Sequence, residues 1–325
     1  MIGKKILITG GTGFIGSHLT ERLLELGAKV SVLARMNSTA NLGWLTLIKH
    51  DNLNIIFGDI NDLEGVEEAV KGHDIVFHLA SIISIPYSYI RVNEVFSTNL
   101  NGTLNVLKAA KKNGISRLVY VSSSEVYGSA IYTPINETHP LQGQSPYSAS
   151  KIAAEKAVES FYKSYNLPAV IVRPFNTYGP RQSLRAVIPT IIKQVLWNEI
   201  IALGALDTKR DFTYVSDTVS GIISCGKVVG IDGEVINLGA GDTITIGKLV
   251  EIILNIKSCK KNIVERQDKF RPIKSEVQCL LSDNSKAKLM LDWGPQIQFL
   301  EGLSKTISWL EENKHYCIQQ NINFI

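Results

Sequence analysis

Two residues four positions apart provide the first chemical signal in this sequence. Tyr147 and Lys151 lie in a stretch, about Pro146 to Tyr165, whose apolar residues have helical spacing. Residues four apart on a helix share one face, so the lysine ammonium can lie near the phenol. A nearby cation favours the phenolate and lowers a phenol pKa that starts near about 10. Tyr147 is therefore a candidate general base, and the alternative is an ordinary surface pair on an amphipathic helix.

A second set of candidates follows the predicted strand Leu118 to Ser122. Ser123, Ser124 and Glu125 come directly after it. Loops at the carboxyl ends of parallel strands form the reaction crevice in open α/β sheets. We expect these hydroxyls and this carboxylate to face that crevice. A turn carboxylate facing water is the alternative for Glu125.

A glycine-spaced turn near the start of the chain indicates a phosphate site. Gly10, Gly13 and Gly16 lie between the apolar strand Lys5 to Thr9 and a helical stretch that begins with Phe14 and Ile15. The glycines permit a tight turn and let the backbone approach a pyrophosphate at the positive end of the helix. A purely structural turn is the alternative.

Two further positions bear on the nucleotide. Asp59 follows the third strand and is a candidate for the adenine edge, with a helix N-cap as the equal alternative. At the end of the second strand, where an NAD site usually has a carboxylate, the chain reads Val32-Leu-Ala-Arg35. Arg35 can meet a 2′-phosphate, so NADP is modestly preferred over NAD; a solvated surface arginine is the alternative.

The elements that must position these residues alternate regularly. Strands and helices follow one another from Lys5 to Val172, which predicts an α/β protein with a parallel sheet covered on both faces. The helices include Leu63 to Val70 and a long one from about Glu94 to Lys112. After Arg173 the pattern changes to prolines, basic residues and short apolar runs. We therefore predict a domain over 1–173, to which segments at about 212–240 return, and a smaller mixed lobe over 174–325.

Composition excludes several classes of protein. The 325 residues are 45% hydrophobic and 20% charged, with a net charge of +4, as in ordinary soluble globular chains. No long basic block indicates nucleic-acid binding. Four scattered cysteines and six histidines show no metal spacing, and no apolar run near the start is long enough for a signal peptide. We expect a cytoplasmic protein without a metal, ending in a weakly specified tail from Tyr316 to Ile325.

The sequence resembles the extended short-chain dehydrogenase/reductase family, the nucleotide-sugar epimerases and dehydratases, over nearly its whole length. The motifs that carry the resemblance, besides the glycine turn, are Tyr147-Ser-Ala-Ser-Lys151, His78-Leu-Ala80, Asn99-Leu-Asn-Gly-Thr103, Ser122-Ser-Ser-Glu-Val-Tyr-Gly128, Arg173-Pro-Phe-Asn-Thr-Tyr-Gly-Pro-Arg181 and Arg210-Asp-Phe-Thr-Tyr-Val-Ser-Asp217. The resemblance implies a Rossmann-type, doubly wound parallel sheet with a C-terminal substrate lobe. It adds cofactor positions at Ile60, Leu79, Ala80 and Asn99, and places nucleotide-diphosphate binding at Asn176, Arg210 and Arg271. The surrounding basic residues, Arg185 among them, would offset the charge of a diphosphate, and a solvated basic face is the alternative.

The same resemblance implies an activity. Glutamate at position 125 is typical of 4,6-dehydratases, in which it removes the C5 proton, whereas 4-epimerases usually have small residues there. Tyr147, helped by Ser123, would take the 4-hydroxyl proton while hydride leaves C4 and later returns to C6, so that NAD(P) is recycled. The stretch Ile85 to Ile90, together with Pro174 to Gln182 and Arg185 to Thr190, looks most like soluble UDP-N-acetylglucosamine 4,6-dehydratases. Since Ser124 stands where some dehydratases have an acidic residue, the donor to the leaving C6 oxygen stays open.

Other functions remain open at this point. A UDP-glucuronate decarboxylase shares the Ser/Thr-Glu-Val-Tyr-Gly motif, a 4-epimerase shares the Tyr/Lys pair, and a Rossmann protein that only senses NAD(P) needs neither. The family's equivalents of the helices Glu94 to Lys112 and Ser145 to Tyr165 pair across a two-fold axis, which implies a homodimer. We expect Ala154 on the outward apolar face of the second helix.

Overall fold

A parallel sheet dominates the computed structural model, which describes residues 1–36 and 42–315. Its seven strands are β1 (Lys5–Thr9), β2 (Lys29–Ala34), β3 (Leu53–Phe57), β4 (Ile75–His78), β5 (Arg117–Val121), β6 (Ala169–Pro174) and, late in the chain, β11 (Val235–Leu238). They are arranged in the order β11-β6-β5-β4-β1-β2-β3. The predicted α/β fold with a doubly wound parallel sheet is confirmed.

Helices cover both faces of this sheet. The helices are α1 (Phe14–Glu25), α2 (Leu63–Val70), α3 (Ile85–Ile90), α4 (Val92–Phe96), α5 (Gly102–Asn113), α6 (Pro146–Tyr165), α7 (Val187–Trp197), α8 (Val215–Lys227), α9 (Ile246–Ile256), α10 (Ser285–Leu291) and α11 (Phe299–Glu312). Successive strand residues pack on opposite faces: Ile6 and Ile8 lie in one core cluster, and Leu7 lies in another. This period of two is why nearly every residue of β1 is apolar and buried.

The topology places a crevice at one edge of the sheet. Strand β1 has β4 on one side and β2 on the other, so the winding direction reverses between β1 and β4. Ligands of open α/β sheets bind outside the carboxyl ends of the strands at such a switch point. The loops after β1, β4 and β5 therefore surround the expected reaction site.

Smaller sheets make up most of the C-terminal part. Their strands are β7 (Asn176–Tyr178), β8 (Ile200–Leu203), β9 (Lys209–Arg210), β10 (Phe212–Tyr214), β12 (Ile244–Thr245), β13 (Asn262–Glu265) and β14 (Cys279–Leu280). They form the pairs β7–β10 and β8–β13 and the three-stranded group β12-β9-β14. Strand β11 instead pairs with β6 in the large sheet. The domain limits at 173 and 174 stay a prediction.

Two sequence expectations need correction. The long helix at Glu94 to Lys112 is interrupted by a π-helical turn over Ser97–Asn101, where one extra residue per turn is accommodated. Ala154 is fully buried against the sheet, because the inward face of α6 carries Lys151, Ala154 and Val158. The predicted tail from Tyr316 lies outside the described residues.

Candidate active site

Helix α6 begins in a way that places Tyr147 in its first turn. Ser145 caps the helix: its Oγ accepts the Ser148 backbone N–H at 3.1 Å, and its own N–H donates to the Ser148 Oγ at 2.9 Å. Pro146 occupies the first helical position, where its missing N–H costs nothing. Tyr147 and Lys151 therefore face the sheet from one side of the helix, and both side chains are buried.

Burial controls the acidity of Tyr147. Loss of solvent raises its pKa to about 12, against a hydrogen bond with Ser123 that lowers it, and the nearby Glu125 charge raises it further. The expected lowering of this pKa by Lys151 is wrong for the protein alone, because burial dominates and the ammonium points elsewhere. The structure nevertheless brings Tyr147, Ser123 and Glu125 together, as the sequence predicted.

Lys151 is fixed against strand β5. Its Nζ donates to the Val121 carbonyl at 2.8 Å and lies 4.4 Å from the centroid of the Tyr120 ring. Burial lowers the pKa of Lys151 to about 7, and the Glu155 carboxylate one turn further along α6 opposes that shift. Both residues of the Tyr147–Lys151 pair are thus biased toward their neutral forms, since a buried charge loses hydration.

The turn after β5 presents the serines and the glutamate. Ser123 begins a short 3₁₀ helix, Ser124–Tyr127, and its Oγ accepts the Glu125 backbone N–H at 3.2 Å. Ser124 is buried, whereas the Glu125 side chain keeps 13% exposure. The carboxylate therefore lies at the wall of the crevice and not on the open surface that the alternative required.

Two predicted arginines lie in the neighbourhood of Glu125, one of them in contact with it. Arg271 Nη1 lies 3.6 Å from Glu125 Oε1, and Arg210 Nη2 lies 3.4 Å from Glu276 Oε1. Burial lowers the pKa of Arg210, while the Glu125 charge raises it and the Arg271 charge lowers it, so these groups are neighbours. The arrangement brings two guanidinium groups and two carboxylates together around the candidate base, and guanidinium forks suit the oxygens of a diphosphate or another anionic group.

The other substrate candidates differ in their surroundings. Asn176 begins β7, and its buried Oδ1 has no hydrogen-bond partner among the described residues. An unsatisfied buried amide oxygen is costly, so a ligand donor there would stabilise the site. Arg185 is exposed, and its Nε contacts the Ser183 hydroxyl at 3.4 Å. That contact does not join it to the Arg210–Arg271 group.

The glycine turn fits a dinucleotide pyrophosphate. Gly10 has φ of +76°, and a Cβ there would lie 2.7 Å from the Ala80 nitrogen and 2.8 Å from the Leu79 carbonyl carbon. A Cβ on Gly16 would lie 2.2 Å from the Gly10 oxygen. Gly13, by contrast, is exposed with space around it, and no side chain caps α1 and no acidic residue lies in its first turn. The positive end of α1 is thus left to an anion.

The remaining cofactor candidates surround this turn. Phe14 and Ile15 are half-buried and pack on the core under α1. Ile60 is buried against α5. It packs so closely on Gly102 that a Cβ there would lie 2.5 Å from the Ile60 Cδ1. Asp59 accepts the backbone N–H of Asn61 at 2.9 Å. It is not the N-cap of α2, a position that Asp62 occupies.

Arg35 and Asn99 have opposite environments. Arg35 is exposed directly after β2. The hydrogen bond with Glu94 raises the pKa of Tyr87, and the nearby Arg35 charge opposes that rise. Asn99 is buried, with both ends of its amide bonded to protein groups. Arg35 is therefore available to a ligand, whereas Asn99 acts through its neighbours.

Sequence reasoning missed three residues at the site. A Cβ on Gly11 would lie 2.7 Å from Val32, so the second glycine of the turn is also required. Glu276 partners Arg210, and no local pattern marks it. Asp211 accepts backbone N–H groups of Ala240, Gly241 and Ser282 at 2.8–3.0 Å, although burial raises its pKa to about 6. Its position beside Arg210 in a recognised motif could have drawn attention to it.

The described residues contain neither a metal-binding cluster nor a membrane-spanning helix. Within residues 1–36 and 42–315, no cluster of three or more histidine, cysteine or acidic side chains has the arrangement of a metal site. In the same ranges, none of the helices combines the length and apolar character needed to cross a bilayer.

Comparison with known proteins gives a consistent set of relatives. Residues 7–306 match the sequence profile of the family described as GDP-mannose 4,6 dehydratase. The chain is 32% identical to the dTDP-D-glucose 4,6-dehydratase of Bos taurus, covering 96% of this chain and 90% of that protein. It is 33% identical to a UDP-N-acetyl-alpha-D-glucosaminuronate decarboxylase of Bacillus cytotoxicus, covering 95% and 98%.

A solved structure agrees with these sequence relatives. DesIV, a dTDP-glucose 4,6-dehydratase from Streptomyces venezuelae determined with NAD and TYD bound, superposes with a TM-score of 0.88. It is 29% identical and covers 96% of this chain and 98% of its own. Similarity over nearly the whole of both chains includes the glycine turn, the Tyr147 helix and the C-terminal lobe.

Proposed function

Because the chain belongs to the GDP-mannose 4,6-dehydratase family, within the extended short-chain dehydrogenases/reductases, we propose that it is a nucleotide-sugar 4,6-dehydratase. The proposed substrate is UDP-N-acetylglucosamine, and the proposed product is its 4-keto-6-deoxy derivative. The single observation that carries the reaction type is Glu125. Its carboxylate reaches the crevice and influences the Tyr147 hydroxyl, so two proton-transfer groups flank one space.

Each of this chain's residues has a separate task in the proposed reaction. A bound nicotinamide supplies the acceptor and later the donor of the hydride. Tyr147 takes the proton of the sugar 4-hydroxyl, and the Ser123 hydroxyl stabilises the phenolate because its hydrogen bond lowers the Tyr147 pKa. Glu125 removes the C5 proton, which a C4 ketone makes acidic. The protein thus contributes positioning and acid/base groups, and the cofactor is not consumed.

The charged residues around Glu125 support a nucleoside diphosphate as carrier. Arg210 is buried and Arg271 half-buried, and guanidinium forks match phosphate oxygens. The unpaired Asn176 Oδ1 offers an acceptor for a substrate hydroxyl or amide N–H. The choice of a UDP-linked N-acetyl sugar rests on the resemblance of Ile85 to Ile90 to enzymes with that substrate and on a relative named for a UDP-N-acetyl sugar.

Decarboxylation is a second candidate function. The guanidinium of Arg271 lies 3.6 Å from Glu125, where a 6-carboxylate of a uronic acid substrate would find a cation. A decarboxylase of Bacillus cytotoxicus shares 33% of the residues. In that reaction the C4 ketone would promote loss of carbon dioxide from C5 and no water would leave.

The cofactor, assembly and location complete the proposal. We propose tightly bound NADP, because Arg35 is exposed where β2 ends. NAD is the alternative, and the NAD bound to a related structure supports it. A homodimer is supported by Phe96, Leu100, Leu104 and Ala153, which are half-buried but belong to none of the core clusters. The described cysteines are free, which favours a reducing cytoplasm.

Product masses test the proposal directly. The pure protein is incubated with UDP-N-acetylglucosamine, UDP-glucose, dTDP-glucose, GDP-mannose and UDP-glucuronate, and products are measured by mass spectrometry. Loss of water from UDP-N-acetylglucosamine supports the proposal, and loss of carbon dioxide from UDP-glucuronate supports the second candidate. Absence of turnover with every substrate would leave only nucleotide binding.

Two variants assign the proton-transfer groups. Tyr147→Phe should bind nucleotide but lose turnover by about a hundredfold or more, whereas Tyr162→Phe on the same helix should be fully active. Glu125→Gln should still oxidise C4 yet fail to exchange the C5 proton with deuterium from solvent. Normal deuterium incorporation by Glu125→Gln would remove this residue from the base role.

A further inference from the structure

The dinucleotide turn and the catalytic helix are separate elements that must be held in register. Gly10 packs on the backbone of Ala80, whereas Tyr147 belongs to α6 on the other side of the crevice. A chain of buried hydrogen bonds joins these two places, and His78 lies at its centre.

The first hydrogen bonds of this path lie at the cofactor side. The Ala80 backbone N–H donates to the Thr9 Oγ1 at 3.2 Å, and this hydroxyl lies 2.6 Å from His78 Nδ1. Because the Thr9 oxygen already accepts from Ala80, its own hydrogen is available to the ring nitrogen. Thr9 and His78 are at most 1% exposed, so water does not compete for these groups.

The next hydrogen bonds of the path determine the tautomer of His78. Its Nε2 lies 3.0 Å from the Thr103 Oγ1, which donates to the Asn99 carbonyl at 2.6 Å. A carbonyl can only accept, so the hydroxyl hydrogen points to Asn99 and the ring must donate from Nε2. His78 is then neutral, with Nδ1 accepting from Thr9. Burial lowers the His78 pKa to about 3, and the Lys151 charge acts in the same direction.

Asn99 contacts the catalytic helix α6. It lies in the π-helical turn, and its Oδ1 accepts the Ile82 backbone N–H at 2.8 Å. Its Nδ2 donates to the Ile82 carbonyl at 3.0 Å and to the Ser150 Oγ at 2.9 Å. The Ser150 hydroxyl donates in turn to the Tyr147 carbonyl at 2.7 Å. The contacts therefore connect Ala80 to Tyr147, and the backbone and side chain of Asn99 join the half of the path that contains His78 to the half that contains Ser150.

We propose that His78, as a neutral Nε2–H tautomer, is a positioning residue that holds the π-helical turn at Asn99 and so aligns the Tyr147 helix with the dinucleotide turn. This role rests on the proposed function, because alignment matters only where Tyr147 and a nicotinamide act on one substrate. The side chains of Thr9, His78, Asn99, Thr103 and Ser150 are all buried, and their hydrogen bonds are directional, so removing one member misdirects the rest. A misalignment of about 1 Å lowers turnover by up to about a hundredfold.

Thr103→Val tests the proposal with little change in shape. Its matched control is Thr306→Val, since Thr306 is equally buried on α11 and donates the same kind of bond, to the Gly302 carbonyl at 2.7 Å. Both variants should lose similar stability in thermal unfolding. Only Thr103→Val should lose turnover, by about tenfold to a hundredfold with KM within about threefold, and Thr103→Ser should restore it. Equal activity of both valine variants would overturn the proposal.

The tautomer is measured without turnover. In ¹⁵N NMR of the histidine-labelled protein with NADP or NAD bound, His78 should be the Nε2–H form from about pH 5 to about pH 8. His78→Gln identifies its signals, and Thr103→Val should shift them while Thr306→Val does not. If His78 titrates in this range, or carries its hydrogen on Nδ1, the proposed positioning role of its Nε2–H form is refuted. If no nucleotide sugar reacts but the tautomer is as stated, the proposed function fails and the buried connection stands.

Discussion

Replacing Glu155 by glutamine should destabilise this protein far more than a single hydrogen bond is worth. Arg173 Nε and Nη2 donate to the two Glu155 carboxylate oxygens at 3.0 and 2.6 Å, and both side chains are at most 4% exposed. Burial alone would lower the pKa of Arg173, but the hydrogen bonds and charge of Glu155 outweigh it and raise that pKa. The variant leaves a buried guanidinium without a counter-charge.

The magnitude follows from that uncompensated charge. Breaking a buried pair by removing one partner costs about 3–5 kcal/mol, whereas an exposed helical pair contributes about 0.3–0.5 kcal/mol. Glu159 on the same helix pairs with Lys156 and Lys163 at the surface, so Glu159→Gln is the matched control. Free energies of unfolding from urea titration should separate the two variants by about 3 kcal/mol or more.

A double variant distinguishes the charge from the packing. Glu155→Leu combined with Arg173→Met removes both charges, and we expect it to be more stable than Glu155→Gln alone. If Glu155→Gln loses less than about 1 kcal/mol, the buried pair is not the source of stability. If the double variant is as unstable as the single one, loss of packing and not an unpaired charge explains the effect.

Three further predictions concern binding and assembly. Burial lowers the Lys151 pKa to about 7, so the ammonium is lost as pH rises through that value. Nucleotide affinity, measured by calorimetry, should therefore weaken there. The Lys151→Met variant should bind nucleotide weakly at every pH. Arg35→Ala should weaken NADP more than NAD binding, by about 1–3 kcal/mol, and equal losses would contradict the 2′-phosphate contact. Ala153→Glu should convert a dimer into a species near the chain mass of 35.8 kDa in light scattering, while Leu289→Glu, at a position 86% exposed, should not. A wild-type mass near 35.8 kDa would refute the dimer.

Local patterns predicted much of the scaffold because they report local physics. The helix Leu63–Val70 has the predicted bounds, since its apolar residues repeat with the helical period. The glycine turn was also recognisable, because no other residue adopts the Gly10 conformation against Ala80 without a clash. The face of Ala154 was wrong: α6 is half-buried on several sides, so the apolar pattern did not define which side meets the sheet.

The sequence by itself determined the alternation of strands and helices between Lys5 and Val172, the phosphate turn, and the placement of Tyr147 and Lys151 on one face of a helix, all of which depend on residues close in the chain. Only the tertiary structure decided that Arg271 lies beside Glu125, that Glu155 neutralises Arg173, and that burial holds Tyr147 near a pKa of about 12. His78 and Thr9 are 69 positions apart, and no periodicity connects them. Contacts of this kind form because the parallel sheet brings distant strand ends to one edge, where water is excluded and the strength of each charge and hydrogen bond is set by its surroundings.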